Sequence, residues 1–194
     1  MKEIKNEYKV DGDIVIIYLN NRKGEIFETV IDLEDFDKVS AIEGTWFSFY
    51  SKKTESYYAK YSEYISKLNN NKGRPSYTNV YMHRLIMDVL HERKIYIDHK
   101  NHDTLCNLRH NLRSTSNENN SKNRNGKNKN NTSGYRNVFW TKKDERWLVM
   151  LQIEGKQTCF GRFKFEDLDK AGVRAEEMRQ KYYKEFAGTS WNTQ

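Results

Sequence analysis

Residues 121–134 constrain the fold most, because they cannot contribute to a hydrophobic core. They consist almost wholly of Asn, Lys, Arg, Gly, Ser and Thr, and such a composition buries too little apolar surface to offset the entropy lost on ordering. We therefore expect an extended basic linker at residues 125–133. It would divide the 194-residue chain into two parts, each long enough to fold around its own core.

The part before the linker begins with β structure. Residues 13–19 and 25–31 are rich in β-branched and aromatic residues and are joined by NNRKG, which favours a β-hairpin. Residues 57–65 alternate enough to form a further strand, and a loop containing Pro75 follows. The sequence predicts a β-rich region over residues 1–79.

An apolar stripe at helical spacing comes next. It predicts a helix over residues 82–91. His83 and Arg84 stand at its start, where contacts with a phosphate or support of a nearby site are the functional interpretation and plain structural roles the alternative. The stripe recurs at i, i+3, i+4, i+7 and i+8 through Met82, Leu85, Ile86, Val89 and Leu90.

The following segment has the order strand, long loop, strand, helix. Residues 94–97 (KIYI) predict a short strand that leads into an Asp-His pair, and residues 110–115 (HNLRST) predict a second strand. Ser116 or Asn117 then caps a short helix that runs through Asn120.

The part after the linker predicts a three-stranded sheet packed on one helix, over residues 134–188. Three strand patterns joined by turns are followed by a helix with a continuous apolar stripe from Leu168 to Phe186. By alternation along the middle strand, Trp147, Val149, Leu151 and Ile153 should face the helix, and Leu148, Met150 and Gln152 should face outward. Together with the first part, this predicts the α+β fold class.

The distribution of charge points to a polyanionic partner. The net charge of +7 is uneven: residues 1–70 hold 10 basic and 13 acidic residues, and the remainder 24 and 14. From Lys122 to Lys143 there are seven basic residues and no acidic one. A one-sided excess of this kind is typical of proteins that bind nucleic acid, and a solvated basic surface is the alternative.

Two further features of the composition indicate where the chain works. Its two cysteines, Cys106 and Cys159, lack the spacing of a zinc site or a disulfide framework, which suits a reducing compartment. The first residues carry charge without an apolar run, and no segment is long and apolar enough to span a membrane. We expect a cytoplasmic protein with no membrane partner.

Residues 97–124 carry the residue types that hydrolysis of a phosphodiester requires. A neutral imidazole such as His99 can activate water, and one hard divalent cation can stabilise charge at the phosphate. Asp98 and Asn120 offer hard oxygen atoms for that cation, which favours Mg²⁺ over zinc. Asn111, on the second strand, can hydrogen-bond across and fix the loop that carries His99.

The same region resembles the HNH homing-type endonucleases of phages and mobile introns. The resembling segments lie within residues 80–124 and read MHRLIM, IDH, CN, HNLR and NENNSKN. The resemblance implies a ββα-metal nuclease core with His99 as general base, Asn111 as the central orienting Asn, and Asp98 and Asn120 as metal ligands.

Two departures from that family's pattern affect the final helix and the loop. The family's usual Asp-Asn is Cys106-Asn107 here, and Ser114 and Thr115 replace the hydrophobic residues that normally follow Asn-Leu-Arg. The helix can therefore be shifted, which leaves Asn119 and Asn123 as rivals to Asn120 for the metal.

The C-terminal part resembles DNA-binding domains of the AP-two/ERF type, which place the face of their sheet in the major groove. The resembling residues are SGYRNV, Trp140, RW, GK, FGRF and KEFAG. A domain that packs on protein is the alternative. Across the chain, the residues that we expect to contact DNA are Arg84, Arg113, Lys122, Arg124, Lys127, Lys129, Arg136, Trp140, Lys142, Lys143, Arg146 and Arg162.

The predicted function is thus a DNA endonuclease that nicks double-stranded DNA, targeted by its C-terminal domain. The expected cofactor is Mg²⁺, with Mn²⁺ as a substitute and no zinc. We expect a monomer, with a dimer as the alternative, in the host cell cytoplasm if the chain is encoded by a phage. The alternative functions are a DNA-binding regulator with an inactive nuclease core and a module that binds an acidic protein.

Overall fold

The structure is a computed structural model that forms two compact units, divided between Thr115 and Ser116. The sequence predicted a boundary further on, at the linker. Among the described residues, no helix has the length and apolar character needed to cross a membrane. The described residues are 4–42, 44–66, 76–123, 128 and 130–188.

The N-terminal unit is built on a six-stranded sheet. Its strands are ordered β1-β2-β4-β5-β6, with β3 also paired to β2. The pairing is antiparallel except between β2 and β4, which run parallel at Asn20 and Phe47. The predicted hairpin and the strand over 57–65 are confirmed, and the loop with Pro75 lies outside the described residues. The strands are β1 (Tyr8–Asp11), β2 (Ile14–Asn20), β3 (Ile26–Asp32), β4 (Phe47–Ser51), β5 (Ser56–Ser66) and β6 (Ser76–Tyr81).

Two short helices help to close the core of this unit. Helix α1 (Phe36–Ser40) follows a single 3-10 turn, and α2 (Met82–Ile86) follows β6 without a break. Fully buried side chains from the sheet, including those of Ile17 and Ile31, share one core cluster with Trp46 and Met82. This cluster fixes the position of α2 on the sheet.

Helix α2 is shorter than the predicted helix over 82–91. Asp88 takes a left-handed conformation, with φ of 56°, and a left-handed residue ends a helix. The amide of Val89 then donates to the Arg84 carbonyl at 3.0 Å and that of Asp88 to Leu85 at 3.1 Å, which is the Schellman arrangement. The prediction was wrong in length because the apolar stripe continues past this stop: Val89 is buried although it lies beyond the helix.

A two-stranded hairpin follows, and it carries the Asp-His pair. Strand β7 (Tyr96–His99) pairs antiparallel with β8 (Leu112–Thr115), with a long irregular loop between them. Helix α3 (Asn117–Lys122) comes directly after β8 in the chain and belongs to the second unit. Its N-cap is Ser116, whose hydroxyl accepts from the Asn119 amide at 3.2 Å. The predicted order of strand, loop, strand and helix is present.

The C-terminal unit has the three-stranded antiparallel sheet and long helix that the sequence predicted. Strands β9 (Val138–Thr141), β10 (Arg146–Ile153) and β11 (Lys156–Phe163) form a sheet with β10 in the middle. Helix α4 (Leu168–Tyr183) packs on it, and a 3-10 turn over Lys184–Phe186 follows. Along β10 the buried positions are Trp147, Val149 and Leu151, as alternation predicted.

The end of the predicted linker is ordered rather than extended. Ser133 is buried, and its hydroxyl contacts the carbonyl oxygens of Tyr135 and Val138, each at 2.9 Å. The Asn131 side-chain carbonyl accepts from the Gly134 amide at 2.8 Å. Polar side chains here complete a turn at the entrance to β9, so the C-terminal fold begins before residue 134. Residues 124–127 and 129 of the segment lie outside the described part of the chain.

Candidate functional site

Asp98 and His99 end strand β7, and both are buried, with exposed fractions of 7% and 5%. Burial of two adjacent polar side chains is unfavourable unless each finds partners. The structure gives them different ones, Arg113 for Asp98 and Asn107 for His99.

Arg113 lies opposite Asp98 in the β7–β8 register. Its Nε donates to Asp98 Oδ2 at 2.8 Å, and its Nη2 lies 2.7 Å from the same oxygen. Only 11% of the Arg113 side chain is exposed. The sequence assigned Arg113 to DNA, whereas the structure uses it to neutralise a buried carboxylate. Periodicity alone could not have indicated this, because it does not give the hairpin register that places the two residues opposite one another.

His99 is held by a chain of hydrogen bonds that reaches strand β3. Its Nε2 lies 3.3 Å from Asn107 Oδ1. The Asn107 amide nitrogen donates to Thr29 Oγ1 at 2.8 Å, and the Thr29 hydroxyl donates to the Leu105 carbonyl at 2.7 Å. Asn107 and Thr29 are fully buried. Sequence reasoning quoted Asn107 only as a motif position and missed Thr29, which lies 78 residues away along the chain.

The direction of these hydrogen bonds determines the tautomer of His99. Asn107 presents its oxygen to the imidazole because its NH₂ group is used by Thr29. An amide oxygen only accepts, so His99 Nε2 carries the proton. Nδ1 of a neutral His99 then holds the lone pair that can accept a proton.

Aromatic rings surround the imidazole on the side of α2. The His83 ring meets that of His99 edge to face, with centroids 5.3 Å apart. Tyr58 contacts both histidines, and Tyr81 contacts His83. Burial lowers the pKa of His83 to about 3, helped by His99 and Arg84. Burial also lowers the pKa of His99, opposed by its hydrogen bond to Asn107 and by Asp98. Both imidazoles are therefore neutral at neutral pH.

Asn111 fixes the loop between the two strands. Its side-chain oxygen accepts from the Asn101 amide at 3.0 Å, and its NH₂ group donates to the Cys106 carbonyl at 2.7 Å. Its own carbonyl accepts from the Lys100 amide at 2.9 Å. These bonds span the loop, as expected for a residue that holds His99 in place. A direct part in catalysis stays a prediction.

Asp98 offers a carboxylate, a hard oxygen ligand of the kind that Mg²⁺ prefers. Among the described residues, no group of three or more His, Cys, Asp or Glu side chains is placed to hold a metal. A Mg²⁺ ion at Asp98 stays a prediction, in which the carboxylate and water would supply oxygen ligands. Asn120 lies on α3, and its side chain is outside the described residues; its rivals Asn119 and Asn123 lie at the same helix.

Two of the arginines expected on DNA have structural roles instead. Arg84 donates to the carbonyl oxygens of Val89, Glu92 and Ile95 at 2.5, 2.9 and 2.8 Å and so closes the turn after α2. Arg136 is 3% exposed, and its guanidinium donates to the carbonyl oxygens of Ala187 and Lys122. Loop carbonyls attract a guanidinium as a phosphate does, and the sequence does not distinguish the two.

The remaining expected contacts divide between exposed and packed positions. Lys142, Lys143, Arg146 and Arg162 are exposed, and Arg162 pairs with Asp144 at 3.1 Å. The Trp140 ring packs against Trp147 and Phe165, and Lys122 Nζ lies 5.2 Å from the centre of the Tyr183 ring. Arg124, Lys127 and Lys129 lie outside the described residues.

Comparison of the chain with family models, with curated proteins and with solved structures found no match in any of the three.

Proposed function

We propose that this protein is a metal-dependent endonuclease that cuts double-stranded DNA at the β7–β8 hairpin and positions it with the C-terminal unit. The observation that supports this best is the state of His99. It is buried, neutral and oriented through Nε2 by Asn107. An imidazole with this tautomer is a suitable general base for water.

In the proposed reaction, His99 Nδ1 takes a proton from the water that attacks the scissile phosphate. Asn107 stabilises the imidazolium that forms, because its oxygen accepts from Nε2. Asn111 limits movement of the loop, so that the base keeps its position during the attack. Asp98 would contribute a carboxylate ligand to Mg²⁺, which when bound supplies positive charge to the phosphate.

A cleavage assay on supercoiled plasmid tests the proposal. With Mg²⁺, His99→Ala should lose at least about a hundredfold of the nicking rate, the lower range for loss of a general base. His110→Ala is the matched control, because His110 is an exposed histidine in the loop between β7 and β8. This variant should cut at the normal rate. Equal rates for wild type and His99→Ala would show that His99 is not the base.

The Asp98–Arg113 pair favours a second candidate, a DNA-binding protein without cleavage activity. A carboxylate that is already neutralised by a guanidinium has less attraction for a cation. Under this alternative the wild type binds duplex DNA and leaves plasmid intact with Mg²⁺ or Mn²⁺. The same plasmid assay, read beside a gel shift, separates the two candidates.

A further inference from the structure

The outward face of the C-terminal sheet carries amide and apolar side chains beside two arginines, although we expect this surface to contact nucleic acid. Its positions are fixed by register: Gln152 lies opposite Gln157, Met150 opposite Cys159, and Leu148 between Phe139 and Arg162. Arg146 and Thr141 complete the face. All of residues 138–163 are described, and none of these outward positions holds a carboxylate.

The face carries two arginines, of which Arg162 pairs with Asp144, and it is otherwise rich in amide and apolar groups. Phe139 is 46% exposed, and Gln152 and Gln157 are exposed as well. Phe139, Met150 and the two glutamines also line a groove of about 610 Å³, together with Lys122 of α3 and Tyr183 of α4. The exposed Phe139 ring, with the half-buried Leu148 and Met150, gives the face an apolar patch, and such patches mark surfaces that a partner covers.

Each of these groups matches one element of an A·T base pair in the major groove. A glutamine amide can bond adenine N6 and N7 at once, whereas guanine is read mainly by arginine or lysine. Apolar side chains contact the thymine methyl group, which cytosine lacks. The two glutamines lie opposite each other on adjacent strands, about 5 Å apart at the backbone, so that they can address neighbouring base pairs.

We infer that Gln152 and Gln157, with Phe139 and Met150 beside them, select A·T base pairs in the major groove of duplex DNA. This inference rests on the proposed function, because it requires that the C-terminal sheet meets DNA. Arg146 and Arg162, at the end of the face near the β9–β10 turn, contribute charge for the phosphates. An acidic protein is the alternative occupant, which binding to neither duplex in the test below would favour.

Fluorescence anisotropy with the full-length chain in EDTA tests this, because cleavage that depends on metal is then absent. Two duplexes of equal length are compared, one with a central A·T run and one with a central G·C run. Wild type should prefer the A·T duplex by roughly 5- to 150-fold, the range for one good bidentate contact. Replacing thymine by deoxyuridine should weaken binding about fourfold for each methyl that is contacted.

Two variants assign the preference to the face. Gln152→Leu with Gln157→Leu should remove most of the discrimination, and Gln157→Arg should shift it towards G·C. Lys143→Ala is the control: it should weaken binding to both duplexes equally, since a phosphate contact carries no sequence information. The gain of G·C binding cannot result from misfolding.

The outcomes separate this inference from the proposed function. Equal affinity of wild type for both duplexes would overturn the A·T preference and leave DNA binding intact. A preference that survives both glutamine variants would remove these residues from recognition. Binding to neither duplex at micromolar protein would overturn the DNA-binding function itself and the inference with it.

Discussion

Asp98 and Arg113 form a buried ion pair across the β7–β8 hairpin, in which Nε and Nη2 of the guanidinium lie 2.8 and 2.7 Å from the oxygen Oδ2. The side chains are 8% and 11% exposed. A buried pair gains little net stability, but the loss of one partner leaves an uncompensated charge. Arg113 therefore provides the positive charge that accompanies Asp98 inside the hairpin.

Replacement of Arg113 by methionine should destabilise the protein by about 3–5 kcal/mol, because the buried Asp98 loses its guanidinium partner. Urea unfolding of the full chain measures this. Lys38→Met is the control, since Lys38 pairs with an exposed Asp88, and it should cost less than about 1 kcal/mol. Addition of Asp98→Asn to Arg113→Met should recover part of the loss. Similar small losses for the two single variants would mean that the Asp98 pair is not effectively buried.

Asn107→Asp should move the acidic limb of the cleavage rate to higher pH. A carboxylate beside Nε2 favours the imidazolium and raises the pKa of His99, so the neutral base is lost at a higher pH than in wild type. Asn20→Asp adds the same charge at an exposed position of β2 and should leave the profile unchanged. Rates measured from pH 5 to 8 decide this, and an identical limb in Asn107→Asp would show that Asn107 does not contact the base.

The low pKa of His83, about 3, predicts a loss of stability in acid. The unfolded chain takes up a proton on this residue below pH 6.5 and the folded chain does not, so stability falls as pH drops from about 6.5 towards 3. The contribution is roughly 1 kcal/mol for each pH unit. His83→Leu should flatten this part of the urea-derived stability curve, whereas His91→Gln, at an exposed histidine, should not. An equal slope in all three proteins would exclude a neutral buried His83.

The sequence was sufficient to predict those structural features that depend on local residue patterns. The β2–β3 hairpin, the elements of the C-terminal unit and the inward residues of β10 follow from periodicity. Ser116 was one of two predicted caps, whereas β1, β4, β6 and α1 were not predicted. The hydrogen-bond partners of the site residues do not follow from periodicity, because tertiary pairing brings them together. Thr29 reaches Asn107 only through the contact between β3 and the loop, where the backbone N–H of Asn107 also donates to the Val30 carbonyl at 2.8 Å.

The roles of Lys and Arg side chains are also hard to predict from sequence, since composition does not show which of them are buried. Arg84, Arg113 and Arg136 were expected on DNA and instead bond to carbonyl or carboxylate oxygens within the fold. The exposed Lys142 and Lys143 lie in a turn, where a side chain can reach a phosphate without loss of packing. Burial therefore separates the structural cations from those that remain candidates for DNA.

Arg136 and Lys143 should accordingly respond in opposite ways to alanine substitution. Arg136→Ala removes bonds to the Ala187 and Lys122 carbonyls, and each buried acceptor left unsatisfied costs about 1–3 kcal/mol. Its unfolding midpoint should fall, while the folded protein keeps its DNA affinity. Lys143→Ala should retain stability, bind duplex DNA more weakly, and reduce the slope of log K against log salt by about 0.9, one phosphate contact. Anisotropy titrations at several salt concentrations, beside urea unfolding of both variants, measure this. A reduced salt slope for Arg136→Ala with unchanged stability would return Arg136 to the DNA-contacting group.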